Sequence, residues 1–159
     1  MTTFDSAKTV RHVLLPAGHG EEMTIFGNAF SMKLSGDDSA GTLAIIEAVF
    51  PPGGYAPPHL HRTHTESFYV VSGLFEVRTG DEIVEAGAGA FCYAPRGVPH
   101  AFKNVGDEPG TLLSVINPAG YESHFREINA IPPGQATPEV LKEIFDRYDQ
   151  EPAPPPHQE

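Results

Sequence analysis

Three histidines and one glutamate, His59, His61, Glu66 and His100, stand in frames of glycine and proline. Three imidazoles and one carboxylate suit one divalent transition metal. Manganese, iron, cobalt, nickel, copper and zinc all accept such donors. An ion held with open positions can bring an oxygen-bearing substrate, or dioxygen, to one point. The pattern therefore points to chemistry at a metal.

The frames imply strands and turns. His59 and His61 are two residues apart, so on a strand both side chains point to one face. Glu66 follows across the turn at residues 62–65 and is expected at the mouth of the next strand. His100 is 34 residues further on and must arrive by folding. Gly53, Gly54, Gly73 and Gly97 allow tight turns, while Pro95 and Pro99 stiffen the approach to His100.

His64 reads as a solvent-exposed loop residue, with an outer-shell or substitute ligand as the alternative. For His124 the expectation is a surface or capping role, with a pocket-lining role as the alternative. His12, His19 and His157 carry no signal.

The rest of the chain reads as short strands at close spacing. Asn28–Leu34 alternates Phe30, Met32 and Leu34 with small or polar neighbours, as a half-buried strand does. Residues 42–50 form an apolar run ending at Pro51-Pro52-Gly53-Gly54. Further strands are expected at 59–61, 66–72, Leu74–Thr79, 83–86, Phe91–Ala94, His100–Asn104 and 112–117. Such spacing predicts an antiparallel sandwich or barrel.

The end of the chain differs. Thr137-Pro138-Glu139 carries an N-cap, a first-turn proline and a first-turn acid ahead of Val140, Leu141, Ile144, Phe145 and Tyr148. An amphipathic helix over 138–148 follows from that pattern. A shorter helix is expected around 121–128, and a frayed or extended proline-rich tail over 150–159.

With 159 residues the chain fits one domain, and its 40% hydrophobic content suits a globular one. The 16 glycines and 16 prolines favour a turn-rich β fold. A formal charge of −11 argues against nucleic acid and anionic membrane surfaces as partners. The single cysteine, Cys92, cannot form an intramolecular disulfide and fits a cytoplasmic setting. The only apolar burst near the N-terminus, Val13-Leu14-Leu15, is too short for a membrane span or a signal-peptide core.

The two frames together resemble the two motifs of the cupin superfamily. The first is Gly53, five residues, His59-x-His61, four residues, Glu66, six residues, Gly73. The second is Gly89, five residues, Pro95-x-Gly97, two residues, His100, three residues, Asn104. Fifteen residues separate them, as in compact bacterial members.

A narrower resemblance is to single-domain bacterial proteins of the quercetin 2,3-dioxygenase type. It rests on residues 57–61, 68–73, 95–102 and 117–121 and on the C-terminal helix with its tail. The resemblance implies an all-β, double-stranded β-helix (jelly-roll-like) barrel with short C-terminal helices. It implies one cupin domain over residues 1–149, with metal motifs at 53–73 and 89–104 and a tail at 150–159. His59, His61, Glu66 and His100 would ligate one ion, Asn104 would be structural, and Glu66 could also take a proton from a substrate hydroxyl. A homodimer is expected.

Two-residue steps from the ligands nominate a substrate pocket of Phe68, Val70, Phe75, Phe91, Tyr93, Phe102 and Ile116. The leading expectation is a metal-dependent dioxygenase cleaving a flavonol-like or other enolisable aromatic molecule. The alternatives are a non-redox metal-dependent cyclase, isomerase or decarboxylase, and a small-molecule-binding protein without turnover.

Overall fold

In the computed structural model, which describes residues 10–155, ten strands alternate with turns before two helices and a last short strand. The strands are β1 (Glu21–Ile25), β2 (Asn28–Leu34), β3 (Ala44–Phe50), β4 (Tyr55–Leu60), β5 (Thr65–Ser72), β6 (Leu74–Thr79), β7 (Glu82–Gly87), β8 (Phe91–Ala94), β9 (His100–Asn104) and β10 (Gly110–Asn117). Helices α1 (Ser123–Asn129) and α2 (Pro138–Arg147) follow, then β11 (Glu151–Pro152). His157 lies outside the described residues. No helix among the described residues is long and apolar enough to cross a membrane.

Two antiparallel sheets enclose one core, in the order β1-β2-β3-β10-β5-β8 and β11-β4-β9-β6-β7. This is the double-stranded β-helix anticipated from the two motifs. Strand β3 shows why the sequence chooses a sheet. Its β-branched and apolar residues alternate, burying Ala44, Ile46, Ala48 and Phe50 on one face. Phe50 packs edge-on against Phe30, Phe75 and Phe102 at centroid distances of 5.9, 6.1 and 5.1 Å, the arrangement that aromatic quadrupoles favour.

Strand pairing divides the interior into layers. Glu66 lies opposite Ile116, and His59 opposite His100. Two residues further along, Phe68 and Phe102 form a second layer. Val70 pairs with Leu112 in a third, where Phe75 is opposite Asn104. Each step is about 6.6 Å, so the first two layers lie near the four candidate ligands and the third closes the barrel beneath them.

Gly73 shows why the first frame needs a glycine at its end. Its φ is +88°, and an added Cβ would come 2.6 Å from the Cα of Gly110. Asn104, at the end of the second frame, is fully buried. Its amide donates to the carbonyls of Phe50 and Glu108, both at 2.9 Å, and its oxygen accepts from the Gly106 N–H.

Several elements differ from expectation. β1 is absent from the sequence reading: its Met23 and Ile25 are buried, but two inward residues are too few to reveal a period. The short strand expected at 59–61 is the end of a longer β4 that starts at Tyr55 and passes through Pro57 and Pro58. Its register with β9 slips by one residue between Ala56 and His59, because prolines have no N–H to give a ladder. α2 begins as expected, with the Thr137 hydroxyl accepting from the Val140 N–H.

The tail beyond residue 150 is extended rather than frayed as far as it is described. Glu151 and Pro152 pair with Leu60 and His59, and the Ala153 N–H donates to the Pro58 carbonyl. Asp149 is the buckle of this strap. Its carboxylate accepts from the N–H groups of Arg62 and Thr63, both at 2.8 Å, and from the Thr63 hydroxyl at 2.6 Å.

Asp149 has φ +61°, so alanine would add backbone strain of its own, whereas glycine removes only the side chain. Asp149→Gly is expected to cost about 1–3 kcal/mol of stability, read from the urea midpoint. An unchanged midpoint would show that the strap contributes nothing.

Candidate metal centre

The four candidate ligands converge from three strands and one turn. His59 is near the end of β4, His61 just past it, Glu66 near the start of β5 and His100 at the first position of β9. All four are buried, and one donor atom from each lies within 4.8 Å of the others. The ring centroids of His59 and His100 are 4.4 Å apart, and those of His59 and His61 are 4.9 Å apart.

Each imidazole is oriented by a backbone carbonyl. The Nδ1 of His59 is 2.7 Å from the Pro57 oxygen, that of His61 2.7 Å from Asp149, and that of His100 3.1 Å from Val98. A carbonyl can only accept, so each Nδ1 carries the hydrogen. Each Nε2 is then the atom that can face an ion. Those of His61 and His100 lie 3.1 and 3.0 Å from Oε2 of Glu66. Such a ring donates to that oxygen only when doubly protonated, so a bound cation would take the place of that proton. Backbone anchoring of the distal nitrogen is the usual support for a metal-bound histidine. Three lone pairs and a carboxylate gathered in a buried space fit a divalent cation.

The turns that set this geometry come from the frames. Gly97, at φ +76°, donates its N–H to the His61 carbonyl at 2.6 Å. That bond ties the second frame to the first before the chain reaches His100.

Charge follows the same arrangement. Burial, with help from His100, pushes the pKa of His59 down to about 3. Burial is the largest influence on His61 and opposes its charge, but the hydrogen bond and charge of Glu66, together with Asp149, outweigh it and raise that pKa. Burial works against ionisation of Glu66 as well. Its hydrogen bonds from His100 and His61 nevertheless hold its pKa well below the usual carboxylate range.

A cavity of about 660 Å³ adjoins the cluster, within the usual ~300–1,000 Å³ of small-molecule sites. His59 and Glu66 reach its wall; His61 and His100 are not among the lining residues and stand behind them. The rest is mainly apolar, with Phe30, Phe50, Phe68, Phe102, Phe125 and Phe145 contributing rings. No lysine or arginine among the described residues lines it.

Of the nominated pocket residues, Phe68, Phe102 and Ile116 line this cavity. Val70 and Phe75 are buried in the core but belong to the third layer, beyond its floor. Phe91 and Tyr93 point the other way, 67% and 51% exposed. The β5–β8 register explains it. Inward Phe68 is opposite Cys92, while outward Tyr69 is opposite Phe91, and directly paired residues share a face.

Two histidines correct the sequence reading. His64 is not a solvent-exposed loop residue but 3% exposed. Its Nδ1 is 3.1 Å from Asp149, its ring packs 4.0 Å from His61, and its Nε2 has no partner among the described residues. His61, His64 and Asp149 form a second cluster of potential ligands. There the His61 Nδ1 already donates to the Asp149 carbonyl, so a hydrogen-bonded clasp describes it better than a second ion site.

His124 is 2% exposed and lines the cavity, rather than lying on the surface. Tyr121, Asp149 and Gln150 were also missed. The Tyr121 ring stands between His61 and His124, at 4.4 and 4.1 Å. Tyr121 lies in the turn that leads into α1, and its spacing of three from His124 was the one legible sign that the two rings are neighbours.

Known proteins resemble the chain in the same region. A family profile described as "Cupin domain" matches residues 46–116. Germin-like protein 5-1 of Oryza sativa subsp. japonica is 33% identical over 90 residues, covering 54% of this chain and 40% of that protein. The quercetin 2,3-dioxygenase of Bacillus subtilis (strain 168) is 21% identical over 115 residues, 72% of this chain and 34% of that protein. The chain thus spans well under half the length of these relatives. Among solved structures, an RmlC-like cupin from Shewanella frigidimarina NCIMB 400 superposes with a TM-score of 0.60. It is 24% identical and covers 70% of this chain and 95% of that one.

Proposed function

From a chain that belongs to the cupin superfamily, we propose a metal-dependent dioxygenase that cleaves a flavonol-like or other enolisable aromatic molecule. The observation that carries this reading is that Glu66 belongs to the ligand cluster and also lines an apolar, aromatic-walled cavity. The likeness to a quercetin 2,3-dioxygenase over 72% of the chain supports it. Among the described residues the cavity also lacks lysine and arginine, so a substrate anchored only by carboxylates or phosphates would find no counter-ion among their side chains.

His59, His61, Glu66 and His100 would hold one divalent transition metal. When bound, that ion supplies Lewis acidity and a meeting point for substrate oxygen and dioxygen. The protein does the rest. Phe68, Phe102 and Ile116 hold the aromatic body of the substrate and exclude water. Glu66 accepts the proton of the enol hydroxyl on a carboxylate oxygen, which a low pKa keeps ionised. Its place on the cavity wall supports that role.

The test is an oxygen electrode with a flavonol panel, using protein reconstituted with each redox-active metal. Oxygen uptake matched to flavonol loss is expected from the wild type. Metal-loaded Glu66→Gln is expected to fall about 10²–10⁴-fold in rate, the usual range for a lost general base. Substrate loss without oxygen uptake would point instead to a non-redox cyclase, isomerase or decarboxylase, and undiminished Glu66→Gln turnover would remove Glu66 from the proton transfer.

A further inference from the structure

One polar group in the cavity wall remains unexplained by the metal cluster. His124 lies on α1, nearly fully buried. Its Nδ1 is 2.6 Å from the Tyr121 carbonyl oxygen, so that nitrogen carries the hydrogen and Nε2 presents a lone pair. No hydrogen bond reaches that lone pair from any described residue. The Tyr121 hydroxyl does not compete for it, since it donates to Oε1 of Gln150. The ring is also fixed in place, 3.8 Å from Phe125 and 4.1 Å from Tyr121. Turning it over would break the bond to the carbonyl.

Among the described residues only Nε2 of His64 is shut off without a partner, so Nε2 of His124, on a residue that lines the cavity, is open to an occupant that donates a hydrogen bond to it. We propose that His124 Nε2 accepts a hydrogen bond from a neutral hydroxyl of the substrate, at a point separate from the oxygens bound at the metal centre. The substrate is then an aromatic molecule with a second hydroxyl on a part that lies against α1. An anion does not fit there, because a lone pair repels it and no lysine or arginine among the described residues lines the cavity. Burial keeps the imidazole uncharged, with a pKa of about 4, consistent with an acceptor. The inference rests on the reading of this cavity as the site of an aromatic substrate.

Anaerobic fluorescence titration of the as-isolated protein tests it, with 3-hydroxyflavone and its derivatives carrying one further hydroxyl at the 2′, 3′ or 4′ position as probes. The wild type is expected to bind at least one of the three about tenfold more tightly than 3-hydroxyflavone, as one good neutral hydrogen bond allows. His124→Phe should abolish that gain, so that the variant binds 3-hydroxyflavone and its three derivatives with affinities equal to one another within about twofold. His124→Gln, which keeps an acceptor, should retain part of the gain and shows that the wall tolerates substitution. Survival of the gain in His124→Phe overturns the inference, as does binding of all four probes by the wild type with equal affinity. Failure of the wild type to bind any probe instead contradicts the flavonol reading of the cavity, and this inference falls with it.

Discussion

His100→Ala is expected to lower the affinity for a divalent metal by about 100-fold or more. Loss of an outer-shell partner alone commonly costs ~10–100-fold, and His100 is placed as a donor itself. It is 1% exposed, stands opposite His59 across the β4–β9 pair, and packs 5.6 Å from the Phe68 ring. His64, which packs on His61, is not placed to replace it, because its Nδ1 is held by Asp149. Truncation also leaves a void worth about 2–4 kcal/mol, so His100→Gln, which fills more of the space, belongs beside it. Chelator competition at pH 7.5 reads the change. Wild-type affinity in either variant would remove His100 from the site.

The metal-free chain is expected to lose stability steeply as pH falls below about 6.5. His59, with a pKa of about 3, and His64 and His124, each at about 4, are buried neutral in the folded state. In the unfolded state they titrate near ~6.5. Between those limits the unfolded chain binds more protons, so stability is complete above ~6.5 and drains away towards pH 4. Each histidine contributes about 1.4 kcal/mol per pH unit over its window.

His61 works in the opposite direction, because its pKa is raised and its contribution is fully present below ~6.5. Glu66 and Asp149, both lowered, add a further loss as pH falls below ~4.5. The three windows together amount to about 10 kcal/mol between pH 6.5 and 4 before His61 offsets part of it, so the net expectation is a loss of roughly 5–10 kcal/mol, comparable with the whole stability of a small domain. Urea midpoints in the presence of chelator at pH 7, 6 and 5 measure it. A midpoint that stays level or rises on acidification would mean that these histidines are charged in the folded state.

The two frames were legible because each residue type in them has a local job. Glycines turn, prolines stiffen, and a two-residue spacing points two imidazoles to one side. Strands such as β3 and β6 were legible through alternation and a following glycine turn. What remained hidden depends on distant partners. β8 reads as a strand from its own residues, but whether Cys92 or its two aromatic neighbours face inward is decided by pairing with β5. His64 looks like a loop residue until Asp149, 85 positions later, folds over it. His124 looks like a surface residue until α1 closes over the cavity. A proline-rich tail has little to bury by itself, yet Glu151 and Pro152 find an open strand edge at β4. These long-range contacts leave no period in the local sequence.

The central claim is that His59, His61, Glu66 and His100 together hold one ion. Calorimetric titration of chelator-stripped wild-type protein with manganese, cobalt, nickel and zinc salts tests it most directly. One site per chain is predicted for at least one of these metals, with proton release on binding as His61 gives up its raised affinity for the proton. Absence of a saturable site for every metal, or a site that survives unchanged in His59→Ala, would contradict it.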